Sequence, residues 1–364
     1  MNAVFLIKSA YMNKYGYITF TKTVNLFIVV LFHCMVVYVP NPIYLETANI
    51  SSDTVGNIAW ILNYIMVPAF VICSGFLMAN SFKNHDRSIP VEIKRKAERL
   101  LIPYYLYGTL WLVPLETFFD INMIGREENY SLWKTFLRML TGQFTDHLWF
   151  LLILFWSSLF IILLKPLYKR GHYVIMGLLS FAAGYAIQFF AQSVPYFKIS
   201  QVGPFIICIF AGVMLYKAAD KLEKLSYVLI IFVILGSLAI VLGCHFFLMD
   251  YYNYWICIAD LAGGITGLFT GLLLWKTKPV KWIGKTKVYI YTERHNLNMY
   301  LFGNPFPFIY FMALQPLLEK NIPLMIIVDF LLSILSIYSV VTIQDVIKSL
   351  YRKISGERDG KEAT

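Results

Sequence analysis

The chain has 364 residues, of which 59% are hydrophobic and only 14% charged, and its mean hydropathy is +0.63. Soluble domains average about half apolar and a quarter charged residues, so this composition excludes an ordinary soluble globular protein. The formal net charge of +10 at pH 7 raises the question of nucleic-acid binding.

Long uncharged runs indicate membrane-spanning helices. Five runs carry no Asp, Glu, Lys or Arg, and they cover residues 23–45, 54–82, 173–197, 225–249 and 295–318. Each is long enough for the ~20 residues that a spanning helix needs. The alternation over about 10 residues that is typical of membrane β-barrels is absent. The sequence therefore predicts an all-α, polytopic membrane helical bundle.

Ten transmembrane helices are predicted in chain order. Their ranges are 18–40, 56–80, 100–120, 147–165, 173–192, 199–216, 226–249, 253–275, 293–317 and 322–344.

The basic residues predict the orientation of these helices. With the N-terminus inside, the segments expected in the cytosol hold 24 of the 31 Lys and Arg residues. Excess Lys and Arg mark cytosolic loops, so both termini are predicted to be cytosolic and the charge is not interpreted as a nucleic-acid footprint. Of the other seven, Lys22 and Arg294 lie at span edges, and the external loops hold only Arg126, Lys134, Arg138, Lys198 and Lys320.

The chain is predicted to form one membrane domain, residues 1–345, followed by a short basic cytosolic tail, residues 346–364. All five cysteines fall within predicted spans without metal-type spacing, so neither a disulfide framework nor a metal site is expected. The tail is predicted to be a surface helix that frays by Gly356.

Two loops are long enough to contribute to a site. The predicted external loop 121–146 contains an amphipathic stretch that is either a membrane-surface helix or a simple loop. The predicted internal loop 81–99 ends in a basic cluster, and this cluster is interpreted either as an anchor for anionic lipid headgroups or as a ligand site. The basic cluster consists of Lys94, Arg95, Lys96 and Arg99.

Titratable residues inside the predicted spans are candidate functional residues, because a charge within a bilayer is costly. For each of them a structural polar contact between helices is the alternative interpretation. The candidates are Lys22, His33, His245, Asp260, Glu293, Arg294 and Asp329.

Lys22 and His33 lie on one face of the first predicted helix. A separation of eleven residues leaves the two side chains ~20° apart around the axis and ~16 Å apart along it. Lys22 at the cytosolic end can attract phosphates, while His33 can act as a base near neutral pH. This spacing fits a long donor such as acyl-coenzyme A, although a snorkelling lysine and a structural histidine fit it equally well.

Four motifs resemble those of acyltransferase family 3, the integral-membrane proteins that O-acylate bacterial surface polysaccharides and lipids. They are KTVNLFIVVLFH at 22–33, FVICSGFLM at 70–78 with IKRKAERLLIPYY at 93–105, HLWFL at 147–151 and NLNMYLFGNPF at 296–306. Their order and the ten-helix count also agree with the family. Three positions depart from its pattern: Lys22 replaces the commoner Arg, Asn296 replaces Ser, and Gly303 replaces a late His.

The resemblance implies roles for particular residues. Lys22 and His33 are the expected catalytic residues, with His33 acting either as a general base or as a transient acyl carrier. The donor-binding cations are expected to be Lys22, Arg95, Lys96 and Arg99. The motif residues expected near the acceptor are Ser74, His147, Trp149, Tyr300 and Asn304.

The resemblance further implies transfer of an acyl group, with acetyl expected, from cytosolic acyl-CoA to a hydroxyl of a cell-surface polysaccharide or lipid-linked glycan. Acyl-CoA is a donor substrate, and no permanently bound cofactor is expected. The expected partners are the lipid bilayer of the inner (plasma) membrane, the acceptor and polysaccharide-synthesis proteins.

Two other functions remain open from the sequence. One is a transporter or flippase with a polar pathway through Asp260, Arg294 and Asp329. The other is a non-catalytic scaffold of a glycan-export system, which the Gly303 departure keeps open because a relative can retain a fold without its activity.

Overall fold

The computed structural model describes residues 15–39, 51–119, 121, 132–143, 146–248, 251–318 and 321–355. Throughout these residues the regular structure is helical, and no strand occurs among them. The α-helices are, in chain order, α1 Gly16–Val36, α2 Asp53–Asn84, α3 Ile89–Tyr107, α4 Val113–Phe118, α5 Leu132–Leu140, α6 Trp149–Leu163, α7 Lys165–Lys169, α8 Tyr173–Phe190, α9 Gly203–Lys217, α10 Ala219–Leu222, α11 Tyr227–Phe247, α12 Tyr252–Trp275, α13 Lys278–Ile283, α14 Lys287–Leu301, α15 Phe306–Leu318 and α16 Ile322–Ile354. The predicted all-α bundle is confirmed.

Within the described chain, six helices are long and apolar enough to cross a membrane, namely α1, α2, α8, α11, α12 and α16. The apolar helices α6, α9 and α15 are shorter. Most of the surface of α8 and α11 is exposed although it is apolar, as at Phe190 and Val228. Exposed apolar side chains along a whole helix are suited to lipid. The protein is therefore an integral membrane protein, with α8 and α11 at its periphery.

The predicted span 293–317 is divided into two helices. Helix α14 ends at Leu301 and α15 begins at Phe306. Pro305 has no N–H, and a residue that precedes proline avoids helical geometry, so the helix breaks at Asn304. The indole Nε1–H of Trp111 donates to the Asn304 carbonyl at 3.0 Å, which satisfies a backbone group that the break leaves outside a helix.

Helices also extend into segments predicted as loops. Helix α2 runs to Asn84 and α3 begins at Ile89, so the basic cluster from Lys94 to Arg99 lies on a helix. The amphipathic stretch within the predicted external loop forms α5. Helix α16 continues through residue 345 to Ile354, and the proposed division at that position stays a prediction.

Close helix crossings at glycine hold the centre of the bundle together. A Cβ added at Gly75 of α2 would meet the carbonyl oxygen of Ile209 on α9, and one added at Gly212 of α9 would meet the carbonyl oxygen of Ile72. Small residues let membrane helices approach until their backbones touch. These contacts fix α2 against α9.

We expect Gly212→Ala to destabilise the bundle, because its methyl group would overlap a backbone oxygen that cannot rotate away. Overpacking of this kind typically costs ~1–3 kcal/mol. Gly236→Ala on α11 is the matched control, since nothing lies within 4 Å of an added Cβ there. Thermal unfolding in detergent micelles measures both variants, and equal unfolding temperatures for the two would contradict this packing.

Candidate active site

A large cavity opens among α1, α2, α3, α6 and α14. Its volume is about 1800 Å³, and nine cationic and four acidic side chains line it. The cations are Lys22, Arg87, Arg95, Lys96, Arg99, Lys276, Lys281, Lys285 and Arg294. The acids are Glu92, Glu98, Glu223 and Glu293.

Glu92 and Glu98 form ion pairs with neighbouring cations. Glu92 lies 3.6 Å from Lys165 Nζ and 3.9 Å from Arg87, and Glu98 lies 3.8 Å from Lys94. Among the described residues, neither an ion pair nor a hydrogen bond holds the cationic groups of Lys22, Arg95, Lys96 and Arg99. Unpaired cations that converge on one cavity favour a ligand with several negative charges.

The charges on α3 affect one another. Helix α3 is not among the six helices of the described chain that are long and apolar enough to cross a membrane. Burial in the cavity wall, together with the nearby charges of Arg99 and Lys22, lowers the pKa of Lys96 to about 8. Burial and then Arg95 lower the pKa of Arg99. Lys96 is half-buried and Arg99 is exposed, and the accessible surface of both side chains faces the cavity. The surrounding protein displaces bulk water from the cavity wall, and this lowers both pKa values.

Lys22 is positioned by contacts with two other helices. Its Nζ lies 5.6 Å from the centroid of the Phe70 ring on α2, within the range of a cation–π interaction. The side-chain amide of Asn296 on α14 donates to the Lys22 carbonyl oxygen at 3.4 Å. Asn296 therefore brings α14 against α1 at the level of Lys22.

His33 is oriented by its own helix. Its side chain is buried, and ring Nδ1–H donates to the Val29 carbonyl oxygen at 2.7 Å. Because a carbonyl can only accept, the neutral ring carries its lone pair on Nε2. This arrangement suits a general base or a nucleophile.

A second histidine lies beside His33. The ring centroids of His33 and His147 are 6.3 Å apart, and the rings are nearly perpendicular. The ring Nε2–H of His147 donates to the Leu301 carbonyl at 3.2 Å, and the Tyr300 hydroxyl donates to the His147 carbonyl. The C-terminal end of α14 therefore holds His147 through both its backbone and its ring.

Tyr300 connects this histidine pair to the cavity. Its ring lines the cavity, and its centroid lies 5.4 Å from that of His147. Both histidines were predicted to be site residues, but their proximity to each other was not predicted. The HLWFL and NLNMYLF motifs contain His147 and Tyr300, but their proximity to His33 depends on how α1, α6 and α14 pack.

The other predicted acceptor-site residues have varied surroundings. Ser74 lines the cavity, although its hydroxyl donates to a carbonyl of its own helix at 2.9 Å. Trp149 packs with its ring centroid 6.2 Å from that of Phe205. Asn304 is buried in the break after α14, where its carbonyl accepts from Trp111. The roles of these residues in acceptor binding stay predictions.

Sequence reasoning did not assign several cavity cations to the site. Lys276, Lys281 and Lys285 were counted only as part of the basic segment that predicts orientation. Arg294 was named as a candidate functional residue and as part of the alternative transporter pathway, but it was not assigned to donor binding. All four line the cavity with Lys22.

The three residues of the transporter hypothesis lie on separate helices. Arg294 lines the cavity from α14. Asp329 on α16 accepts a hydrogen bond from Ser333 at 3.1 Å, and Asp260 is buried on α12. Nothing in their contacts joins them into one polar pathway through the described residues.

A helical membrane bundle with a polycationic cavity next to oriented, buried histidines has the architecture of a membrane-embedded group-transfer enzyme. Residues 15–343 match the family model described as an acyltransferase domain. Because this match covers most of the chain, the protein belongs to acyltransferase family 3 and is a membrane acyltransferase. No curated protein and no solved structure matches the chain.

Proposed function

We propose that this acyltransferase moves an acyl group, with acetyl as the expected group, from cytosolic acyl-CoA to a hydroxyl of a cell-surface polysaccharide or lipid-linked glycan. In this proposal it acts in the inner (plasma) membrane. The observation that carries the proposal is the continuity between the polycationic cavity and the His33–His147 pair through Tyr300. An acyl-CoA molecule carries its phosphates at one end and its reactive thioester at the other. In this protein the cations lie in the cavity and the histidines lie beyond Tyr300, so the two groups are separated in the same way.

The donor is proposed to bind with its phosphates among Lys22, Arg95, Lys96 and Arg99. Within the described residues these cationic groups form no ion pair and no hydrogen bond, so a phosphate would not have to displace one. Lys22 and His33 are ~16 Å apart along α1. The pantetheine arm would extend over this distance towards His33.

The proposed chemistry depends on the lone pair of His33 Nε2. In direct transfer, Nε2 takes the proton of the acceptor hydroxyl while the hydroxyl oxygen attacks the thioester carbonyl. The new C–O bond forms, the C–S bond breaks, and the proton passes to the departing thiolate to give free coenzyme A. Alternatively, Nε2 attacks first, releases coenzyme A and holds the acyl group until the hydroxyl attacks. The acceptor would approach from the side where His147 lies.

We expect donor affinity to fall as the pH rises through about 8. Lys96 has a pKa of about 8, so it is protonated below this pH and attracts phosphate, and it becomes neutral above it. Titration with a non-hydrolysable acetyl-CoA thioether between pH 7 and 9 measures the effect. Lys96→Arg is the matched control, because a guanidinium stays protonated over this range. Equal pH dependence in the two proteins would contradict a phosphate contact at Lys96.

The proposed function is tested by supplying radiolabelled acetyl-CoA to sealed membrane vesicles of both orientations. We expect label in extractable glycans or lipid-linked glycans only when the predicted cytosolic face is accessible to the donor. Matched vesicles without the protein give the background. Absence of label above this background with acetyl-, succinyl- and longer acyl-CoA donors would contradict the proposal and favour a scaffold or a transporter.

A further inference from the structure

A second group of cations lines the outer part of the cavity. Lys281 lies on α13 and Lys285 lies in the turn that leads into α14, and both are exposed towards the cavity. Within the described chain, neither ammonium group forms an ion pair or a hydrogen bond. Lys276 differs from them, because its Nζ donates to the Leu225 carbonyl at 2.6 Å. Lys281 and Lys285 are therefore available to a ligand.

These lysines lie farther from the histidines than the inner cations do. Arg294 precedes Tyr300 by six residues on α14, a rise of ~9 Å. Lys285 precedes the first residue of α14, which places it roughly 20 Å or more from Tyr300 along the same axis. Asn296, whose side-chain amide donates to the Lys22 carbonyl oxygen, precedes Tyr300 by only four residues, so Lys22 lies at the inner level with Arg294. The cavity therefore has an inner level of positive charge and an outer one.

Packing holds the outer level in a defined place. Gly284 lies between the two lysines, and a Cβ added there would meet the Trp275 ring at 3.0 Å. The same Trp275 ring is in close contact with Gly16 at the start of α1. Trp275 thus connects the segment that carries Lys281 and Lys285 to α1, the helix that carries Lys22.

We propose that Lys281 and Lys285 bind a second phosphate group on the donor, the 3′-phosphate of coenzyme A, and so select donors that carry it. The inference rests on the proposed function and deepens it. A donor with a single phosphate cluster would neutralise only the inner level. Coenzyme A has a diphosphate next to the pantetheine arm and a phosphomonoester farther out on the ribose, in the same order as the two levels. A phosphomonoester carries about −1.5 to −2 charges at pH 7, which matches two lysines.

The test compares binding of coenzyme A and dephospho-coenzyme A by the purified protein at constant ionic strength. The Lys281→Ala/Lys285→Ala variant is expected to bind coenzyme A at least about tenfold more weakly, because charge-assisted contacts to phosphate are lost. Its affinity for dephospho-coenzyme A is expected to match that of wild type. The wild-type preference between the two ligands would then disappear in the variant.

Lys278→Ala/Lys287→Ala is the matched control, since both lysines are exposed nearby and lie outside the cavity lining. It is expected to retain the wild-type preference. Equal weakening of both ligands by the Lys281/Lys285 variant, or no change in either, would overturn the assignment while leaving the proposed donor in place. If wild type binds neither ligand, the proposed function itself fails, so the two failures are distinguishable. Unfolding temperatures confirm that the variants remain folded.

Discussion

Replacing His33 with Gln is expected to lower acyl transfer by at least about 100-fold, the lower end of the contribution of a general base. Glutamine approximates the size of the imidazole and can still donate to the Val29 carbonyl, but it has no basic nitrogen to replace Nε2. Donor affinity should remain close to wild type, since the cations of the cavity are unchanged. Initial rates of label transfer, together with donor binding, measure both effects.

His172→Gln is the matched control, because His172 is exposed and precedes α8 away from the cavity. Wild-type rates in both variants would show that His33 is structural. Labelled donor supplied without acceptor separates the two proposed mechanisms. Label retained on wild type after rapid denaturation at neutral pH, and absent from the His33→Gln variant, indicates an acyl carrier, whereas label on neither protein indicates a general base.

Lys22→Ala is expected to raise the KM for the acyl donor about tenfold or more, with a smaller effect on kcat. A hydrogen bond to a charged group contributes ~1.5–3 kcal/mol, and 1.4 kcal/mol corresponds to a factor of ten. Lys22 is half-buried over Phe70 at the inner level of the cavity, where solvent screens a phosphate contact less than at the surface. Steady-state kinetics with varied donor measure the change.

Lys22→Arg is the conservative control. It keeps the positive charge and matches the commoner residue at this position of the family motif, so it should restore donor affinity. A fall in kcat with an unchanged KM in Lys22→Ala would contradict a donor-binding role and place Lys22 in the chemical step. Loss of affinity for dephospho-coenzyme A as well is expected, which distinguishes Lys22 from Lys281 and Lys285.

Much of the fold follows from local sequence. The apolar segments that predicted helices at 56–80 and 253–275 correspond to α2 and α12. The break between α14 and α15 was missed because the whole range 293–317 is apolar enough to suggest one span. Pro305 was the available signal, since it interrupts a helix. The helical extent of α3 was missed because its charged residues resemble a loop, although Leu100 and Tyr104 on the same helix are buried.

The site was only partly predictable. Helical periodicity alone placed Lys22 and His33 on one face of α1. The pairing of His33 with His147 joins residues far apart in the chain, and it depends on the end of α14 holding His147 in place. Lys281 and Lys285 could not be assigned, because a preference for basic residues at the cytosolic side explains any lysine there. Their place in the cavity wall is a tertiary property.

The central claim is that an acyl donor bound by the cationic cavity presents its thioester to His33. The most direct test is a structure of the protein with a non-hydrolysable acetyl-CoA analogue. The account predicts phosphates beside Lys22 and Arg99, and the carbonyl carbon of the acyl group about 3–3.5 Å from His33 Nε2 or separated from it only by the acceptor hydroxyl. An analogue bound outside the cavity, or with its acyl group directed away from His33, would contradict it.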